Sequence, residues 1–160
     1  MRRAFITALC EEAEKNPDIW LLTGDLGFGL VEPFEKRFPE RFINCGIMEQ
    51  TMMGVAAGLA LSGKCVFVYS IATFPTLRCL EQIRNDVVHH NANVKIVAYG
   101  AGDCYPMLGF SHKMEEDQEI MRALGVLTTT PETTDEAREA VWYAATQPGP
   151  IYLRLGKANV

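Results

Sequence analysis

Residues 46–70 read GIMEQTMMGVAAGLALSGKCVFVYS, and their pattern predicts a helix over residues 48–62 followed by a strand over residues 65–70. The helix is rich in glycine and alanine, and such a smooth surface permits close approach to a sheet or to a second helix. Its first turn carries one acidic residue, Glu49, among apolar neighbours. Because charged side chains are almost never fully buried unless they are paired, Glu49 needs a partner. That partner is either the helix dipole, worth about 0.3–1 kcal/mol, or a ligand.

Short apolar runs alternate with helical patterns along the whole chain. Strands are predicted at 19–24, 41–45, 65–70, 94–100, 125–130 and 150–156, and helices at 2–15, 31–38, 48–62, 74–91, 115–124 and 133–146. Nearly continuous apolar strands are typical of a parallel sheet covered on both faces. The alternation predicts βαβ units. The fold class is therefore α/β, a doubly wound three-layer sandwich with a mostly parallel six-stranded sheet, in one domain over residues 1–160.

Composition excludes several classes of protein. The net charge of −5 argues against a sequence-independent nucleic-acid binder, which needs a basic face. No apolar run approaches the roughly 20 residues of a membrane helix, and the N-terminus predicts an amphipathic helix better than a signal peptide. The five cysteines form no Cys-x-x-Cys pair, which favours a reducing cytoplasm over a disulfide framework or a zinc site.

Four loops follow predicted strands, where ligands bind in doubly wound folds: residues 24–29, 46–50, 70–76 and 100–113. The GDLGFG loop fails the nucleotide fingerprints, so its spacing alone favours a turn with Asp25 as a helix cap. His112 lies in the longest loop, and a lone loop histidine is more often incidental than catalytic. His89 and His90 are helix neighbours and do not share a face, so no metal site is predicted in this chain.

Five segments together resemble the pyrimidine-binding domain of the transketolase family of thiamine diphosphate enzymes. They are GDLGFG (24–29), GIMEQTMMGVAAGLALSGKCVFVYS (46–70), ATFPTLRCLEQIRND (72–86), GFSHKMEEDQEIMRAL (109–124) and GPIYLRLGKA (149–158). Their order over nearly the whole chain is more specific than any single motif. The resemblance implies the thiamine diphosphate-binding fold, with this chain as its pyrimidine-binding module.

The resemblance implies a role for Glu49. It matches the family's glutamate that hydrogen-bonds a ring nitrogen of the cofactor's aminopyrimidine. That bond favours the imino tautomer, whose nitrogen removes the proton from the thiazolium carbon. The cofactor then supplies the carbanion chemistry, and the protein supplies tautomer and orientation.

The resemblance also implies roles for five further residues. Phe74 matches the aromatic residue that stacks on the pyrimidine, and Asp25 and Leu26 match residues beside the bent cofactor. His112 matches the loop histidine that contacts substrate oxygens. Arg78 matches an arginine near the same pocket, although its spacing differs from that of some family members.

The chain departs from the family in two ways. Leu108 stands where the family often has an acidic residue, and Leu80 replaces an aromatic residue common in split relatives, which points to an unusual sugar. The family's Gly-Asp-Gly motif, which holds Mg²⁺ and the diphosphate, is missing, as is the C-terminal transketolase domain. We therefore expect a diphosphate-binding transketolase subunit as partner, and this partner would bind the Mg²⁺. Met1 suits a natural split subunit, and an excised domain is the alternative.

The implied function is that of a transketolase-like transferase, which moves a two-carbon ketol unit between sugars and is active only with its partner. The family pairs these domains about a two-fold axis, so we expect a homodimer or larger assembly through the small-residue helix. Two alternatives stay open. One is a non-catalytic interaction or regulatory subunit of the same fold. The other is a component of a 2-oxo acid dehydrogenase or of a deoxyxylulose phosphate synthase-like enzyme.

Overall fold

The computed structural model describes residues 1–156, which form one parallel six-stranded sheet. All six predicted strands are present, as β1 (Ile19–Thr23), β2 (Phe42–Asn44), β3 (Cys65–Ile71), β4 (Val94–Tyr99), β5 (Leu127–Thr129) and β6 (Ile151–Leu155). The strand order is β2-β1-β3-β4-β6-β5. The fold class is therefore confirmed. The last two residues of the GPIYLRLGKA segment and the end of the predicted domain lie outside the described residues.

Five of the six predicted helices are also present as regular helices. They are α1 (Arg2–Lys15), α2 (Glu32–Arg37), α3 (Glu49–Leu61), α6 (Asp117–Ala123) and α7 (Thr134–Thr146). Helix α7 begins where the Thr133 side chain accepts a hydrogen bond from the Glu136 amide, a favourable N-cap. Over residues 1–156, no helix has both the length and the apolar character needed to cross a bilayer.

The predicted helix 74–91 is wrong as a single regular helix. The segment divides into α4 (Thr73–Thr76), a 3₁₀ turn (Leu77–Cys79), α5 (Leu80–Gln82) and a π-helical stretch (Ile83–Val88). Pro75 is tolerated in a first helical turn, but the Thr76 hydroxyl donates to the Ala72 carbonyl at 2.6 Å and competes with the backbone there. Irregular turns of this kind are frequent at functional sites.

Two hydrophobic cores lie on opposite faces of the sheet. Helices α1, α2 and α7 cover one face, where Phe5 stacks on Tyr69 with ring centroids 5.7 Å apart. Helix α3, the 73–88 segment and α6 cover the other face, where Met52, Met53 and Met121 are fully buried. Because helices cover both faces of the sheet, a ligand can reach the strands where they end.

The strand order places a switch point between β1 and β3. The chain leaves β1 for β2 on one side and returns to β3 on the other side of β1. The loops after β1 and β3 therefore diverge, and they open a crevice at the carboxyl ends of these two strands. In open parallel sheets this crevice is the usual ligand site.

Candidate active site at the carboxyl edge of the sheet

Glu49 lies at this crevice, in the first turn of α3, and its side chain is only 5% exposed. Its Oε2 accepts a hydrogen bond from Nη1 of Arg78 at 3.1 Å. A Cβ atom on Gly24 would lie 3.6 Å from Glu49 Oε1, so the loop after β1 runs directly against the carboxylate. Among residues 1–156, Glu49 therefore has one charged partner, and that partner comes from the 73–88 segment.

Arg78 joins Glu49 to an aromatic cluster. Its guanidinium carbon lies 4.0 Å from the ring centroid of Phe74, which is cation–π geometry. The Phe74 ring meets the His112 ring edge-on, with centroids 5.2 Å apart. The Ser111 hydroxyl lies 3.0 Å from Nδ1 of His112. The structure thus brings four of the predicted site residues into one connected group.

Asp25 and Leu26 reach the same edge by a different route. Asp25 has a left-handed backbone, with φ of 56°, and its amide donates to Oδ1 of Asn44 at 2.9 Å. Its side chain accepts from Nδ2 of Asn44 and does not cap α2. The Leu26 carbonyl accepts from the Thr23 hydroxyl at 2.9 Å, and its side chain packs against the core beneath α1, α2 and α7.

Tyr105 is a neighbour of this group to which the sequence reasoning gave no role. Its ring lies 6.3 Å from the His112 ring and 6.2 Å from the Tyr99 ring, edge-on to both. A Cβ atom on Gly100, where φ is 76°, would collide with the Tyr105 ring, so only glycine lets the loop fold back this closely. The available signal was an aromatic residue in the same long loop as His112.

Cys79 lies near the carboxylate without being a nucleophile. Burial, followed by the negative charge of Glu49, raises the pKa of its thiol to about 12. The thiol donates to the Phe74 carbonyl at 3.4 Å. Because the thiolate is the reactive form, this cysteine is inert near neutral pH.

The rim of the crevice is apolar. Large hydrophobic side chains are exposed in the loops after β1, β2, β3 and β4: Phe28, Ile47, Met48, Leu77, Met107, Leu108 and Phe110. Of these, Met107 is 94% exposed and Phe110 is 86% exposed. Exposed apolar groups gathered at one edge mark an interaction surface. A cavity of about 420 Å³ between Arg78 and the start of α3 opens beside Glu49.

A second cavity, of about 390 Å³, lies between α7 and β5, the outermost strand on the side of the sheet opposite β2. Trp142, Tyr143 and Leu127 line it. It is more apolar than the first cavity, and neither Glu49 nor any other predicted site residue lines it. Within residues 1–156, no three His, Cys, Asp or Glu side chains gather as metal ligands would.

Comparison with known proteins identifies the relatives of this chain. Residues 1–160 match the family described as the pyrimidine binding domain of transketolase. The putative transketolase C-terminal section of Methanocaldococcus jannaschii is 40% identical, over 99% of this chain and 51% of that protein. One of the subunits of the apulose-4-phosphate transketolase of Phocaeicola vulgatus is 37% identical, over 99% of this chain and 52% of that protein.

A solved structure supports the same assignment. A split gene transketolase, an inactive beta4 tetramer, superposes with a TM-score of 0.88 and is 42% identical. The match covers 99% of this chain and 52% of that one. The chain therefore spans about half the length of the relatives it matches.

Fold and site together define a doubly wound α/β domain with a buried carboxylate and an aromatic ring at its switch point. The chain belongs to the transketolase pyrimidine-binding domain family. The resemblance stated from the sequence is thereby confirmed, and membership of the family implies the use of thiamine diphosphate. The side chains present fit the pyrimidine half of that cofactor, because Glu49 offers a buried carboxylate to a ring nitrogen and Phe74, joined to it through Arg78, offers an aromatic face.

Proposed function

We propose that this chain forms the pyrimidine-binding half of the active site of a transketolase-like transferase. The reaction is the transfer of a two-carbon ketol unit between sugars. The observation that supports it is the buried Glu49 carboxylate at the switch point of a transketolase-family fold, joined through Arg78 to the aromatic ring of Phe74. When bound, thiamine diphosphate supplies the carbanion chemistry, and the chain positions its pyrimidine ring.

Glu49 is proposed as the residue that hydrogen-bonds a pyrimidine ring nitrogen. Its carboxylate is shielded from water, and a hydrogen bond to an ionised group is stronger there than in bulk solvent. Phe74 supplies a flat apolar face for stacking, which sets the plane of the ring relative to the carboxylate. Together these two contacts would determine both the tautomer and the orientation of the ring.

Arg78 is proposed to border the cofactor and to control access to it. Its guanidinium contacts both groups that the pyrimidine would contact, the Glu49 carboxylate at 3.1 Å and the Phe74 ring at 4.0 Å. Binding of the ring would therefore require the guanidinium to shift. Because the Arg78 side chain is 47% exposed, such a shift needs no repacking of the core.

Asp25 and Leu26 are proposed to line the cofactor on the side of the β1 loop, and His112 to contact substrate oxygens. The loop of His112 lies across the crevice from Glu49 and is joined to it through Phe74 and Arg78. The neighbouring Leu108 is an exposed apolar residue, which supports an unusual sugar as substrate. Apulose-4-phosphate appears in the names of two relatives, and we extend to this chain only the class of small sugars.

The diphosphate and its Mg²⁺ are proposed to be bound by a second chain, a diphosphate-binding transketolase subunit. The apolar rim around the crevice, with Met107 and Phe110 almost fully exposed, supports a protein surface that covers this edge. A cofactor held between two chains would explain why the carboxylate is buried on one side and open on the other. The single domain over residues 1–160 would then be inactive alone.

We further propose self-association through α3. A Cβ atom on Gly54 or Gly58 would have nothing within 4 Å, and Val55 and Leu61 are exposed apolar residues on this helix. A second copy of the helix could approach closely at such a surface, and the split gene relative is a tetramer.

The five cysteines are unpaired, which supports a reducing cytoplasm as the location.

The central test compares Glu49→Gln with Glu119→Gln, a matched change at an exposed glutamate, in the complex with the diphosphate-binding subunit. Calorimetry measures thiamine diphosphate binding with Mg²⁺, and a coupled assay measures ketol transfer. We expect Glu49→Gln to keep its fold and to lose activity by on the order of 10²-fold or more. The Glu119 variant is expected to match the wild type.

Each alternative has its own outcome in this experiment. Near wild-type turnover by Glu49→Gln would show that the carboxylate is not catalytic. If no complex binds thiamine diphosphate, the alternative of a regulatory subunit is favoured. Turnover of pyruvate or another 2-oxo acid in place of a ketose would favour the dehydrogenase or deoxyxylulose phosphate synthase alternative.

A further inference from the structure

Asn44, the last residue of β2, connects the two loops that border the crevice. Its Oδ1 accepts hydrogen bonds from the amide of Asp25 at 2.9 Å and from the amide of Gly46 at 3.0 Å. Its Nδ2 donates to Oδ1 of Asp25 at 3.3 Å. One side chain thus contacts the loop after β1 and the turn that leads into Glu49.

The three contacts determine the orientation of the amide. Both neighbours of the Asn44 oxygen are backbone donors, and the neighbour of its nitrogen is a carboxylate acceptor. A flipped amide would oppose donor to donor and acceptor to acceptor, so only one orientation satisfies every group. An aspartate at this position could still accept from the amides of Asp25 and Gly46. Its second oxygen, however, would face the Asp25 carboxylate in place of the present N–H donor.

The two loops need such a connection. Asp25 has φ of 56°, a left-handed backbone that residues with a Cβ atom adopt only under constraint, although Asp and Asn tolerate it best. A Cβ atom on Gly24 would lie 3.3 Å from the Gly46 carbonyl and 3.6 Å from Glu49 Oε1. Movement of the loop after β1 would therefore press directly on the turn before α3 and on the carboxylate.

We propose that Asn44 is a positioning residue for the cofactor site. It holds the Asp25–Leu26 backbone at a set distance from Glu49, so that both sides of the pyrimidine site form together. Asn44 itself touches neither the cofactor nor the substrate in this role. The inference rests on the proposed function, because it assigns the two loops to one cofactor site.

The test uses Asn44→Asp and Asn44→Ala, with Asn16→Asp as the matched control. Asn16 accepts a backbone hydrogen bond from Asp18 at 2.9 Å, but it precedes β1 and lies at the opposite edge of the sheet. KM for thiamine diphosphate and kcat are measured in the complex with the diphosphate-binding subunit, from about pH 5 to about pH 8, each as a ratio to the wild type.

In Asn44→Asp the two facing carboxylates repel at pH 8, so the KM for the cofactor should rise by about 10- to 100-fold. At pH 5 the pair can share a proton, since a like charge raises the pKa of one carboxyl, and the ratio should return toward one. Asn44→Ala should raise KM at every pH without this recovery. Asn16→Asp should follow the wild type throughout.

Amide hydrogen exchange in the chain alone separates the failure of this inference from the failure of the proposed function. We expect the Asp25 and Gly46 amides to exchange at least tenfold faster in Asn44→Ala, whatever the activity of the complex. Faster exchange together with unchanged cofactor KM would overturn the positioning role, as would a pH-independent ratio for Asn44→Asp. A wild-type complex that binds no thiamine diphosphate would instead overturn the proposed function, and the positioning role with it.

Discussion

Glu49 and Asp117 are both buried carboxylates paired with an arginine, yet their surroundings differ. Asp117 is fully buried, and its Oδ2 accepts from the Tyr152 hydroxyl at 2.6 Å and from Nε of Arg154 at 2.8 Å. The Arg154 side chain is itself 17% exposed. In the described part of the chain, the Glu49 side chain has one donor, Arg78, whose side chain is 47% exposed.

The difference separates a structural charge from a charge available to a ligand. Asp117 ties the start of α6 to β6, and its Oδ2 receives two donors from one strand, while its Oδ1 is enclosed without a hydrogen-bond partner among residues 1–156. Glu49 is buried beside an open crevice, and its partner among these residues, Arg78, can move into solvent. A buried carboxylate is a candidate for ligand binding when it borders an open crevice and its partner is mobile, and burial alone does not decide the matter.

The largest expected effect comes from removing each arginine in turn. Arg154→Ala should lower the free energy of unfolding by about 3–5 kcal/mol, because it leaves the enclosed Asp117 charge without its partner. Arg78→Ala should cost about 1 kcal/mol or less, since a half-exposed ion pair is screened by solvent. Urea unfolding at pH 7 measures both. Equal costs for the two variants would remove the distinction between the sites.

Lys95 extends the comparison to a buried charge held without a carboxylate. Its Nζ donates to the carbonyls of Gln147 at 2.8 Å and Gly149 at 2.6 Å, at the opposite edge of the sheet. Burial lowers the pKa of Lys95 to about 8, against about 10.4 in an unfolded chain. Between about pH 8 and about pH 10.4, Lys95 is protonated in the unfolded chain but not in the folded chain. The free energy of unfolding therefore rises with pH over this window, by about 3 kcal/mol from this group.

Lys95→Met should therefore lack this rise, and urea unfolding from about pH 7 to about pH 11 tests it as the difference between wild type and variant. Burial raises the pKa values of Cys65 and Tyr69, and both groups act in the opposite direction. Tyr69 cancels in the difference, whereas Cys65 cancels only in part, because the charge of Lys95 lowers the pKa of its thiol. A pH-independent difference would mean that Lys95 keeps an ordinary pKa and that its burial costs the fold little.

A smaller effect than that of Arg154→Ala is expected at the Tyr152 hydroxyl, which donates to Asp117 and has no counterpart at Glu49. Tyr152→Phe removes one of the two donors to Asp117 and should cost about 2 kcal/mol, as expected for a hydrogen bond to a charged group. Tyr143→Phe, at a tyrosine 40% exposed, should change stability by less than about 0.5 kcal/mol. Thermal unfolding of the two variants and the wild type measures both changes in stability. A neutral Tyr152→Phe would show that Arg154 alone compensates Asp117.

Several features could be predicted from the sequence because they depend on local periodicity. Apolar runs of strand length predicted all six strands. Helical patterns predicted six helices, of which five are regular and the one predicted at 74–91 is not. That segment has a helical pattern, but the competition of Thr76 for the Ala72 carbonyl and the π-helical stretch break its register. The placement of Glu49 at a strand's carboxyl edge also follows from chain order, whereas its catalytic role stays a prediction.

Contacts between residues far apart in sequence were beyond local reasoning. Asp117 meets Tyr152 and Arg154 across 35 and 37 residues, and Asn44 meets Asp25 across 19. Nothing in the composition of these segments indicates which polar side chains will be neighbours. Asn44 meets Asp25 because the adjacent parallel strands β1 and β2 end at the same edge of the sheet. Asp117 meets Tyr152 and Arg154 because α6 packs near β6, where a buried carboxylate must find donors.

The sequence by itself determined the α/β architecture, the negative net charge and the family, since these follow from composition, pattern and motif order. Only the tertiary structure decided how Glu49 is paired: by Arg78, from a segment 29 residues away, with the guanidinium also against Phe74. Packing around the switch point sets that pairing, and packing depends on the whole sheet. The same packing left the carboxylate facing an open crevice, whereas it closed around Asp117.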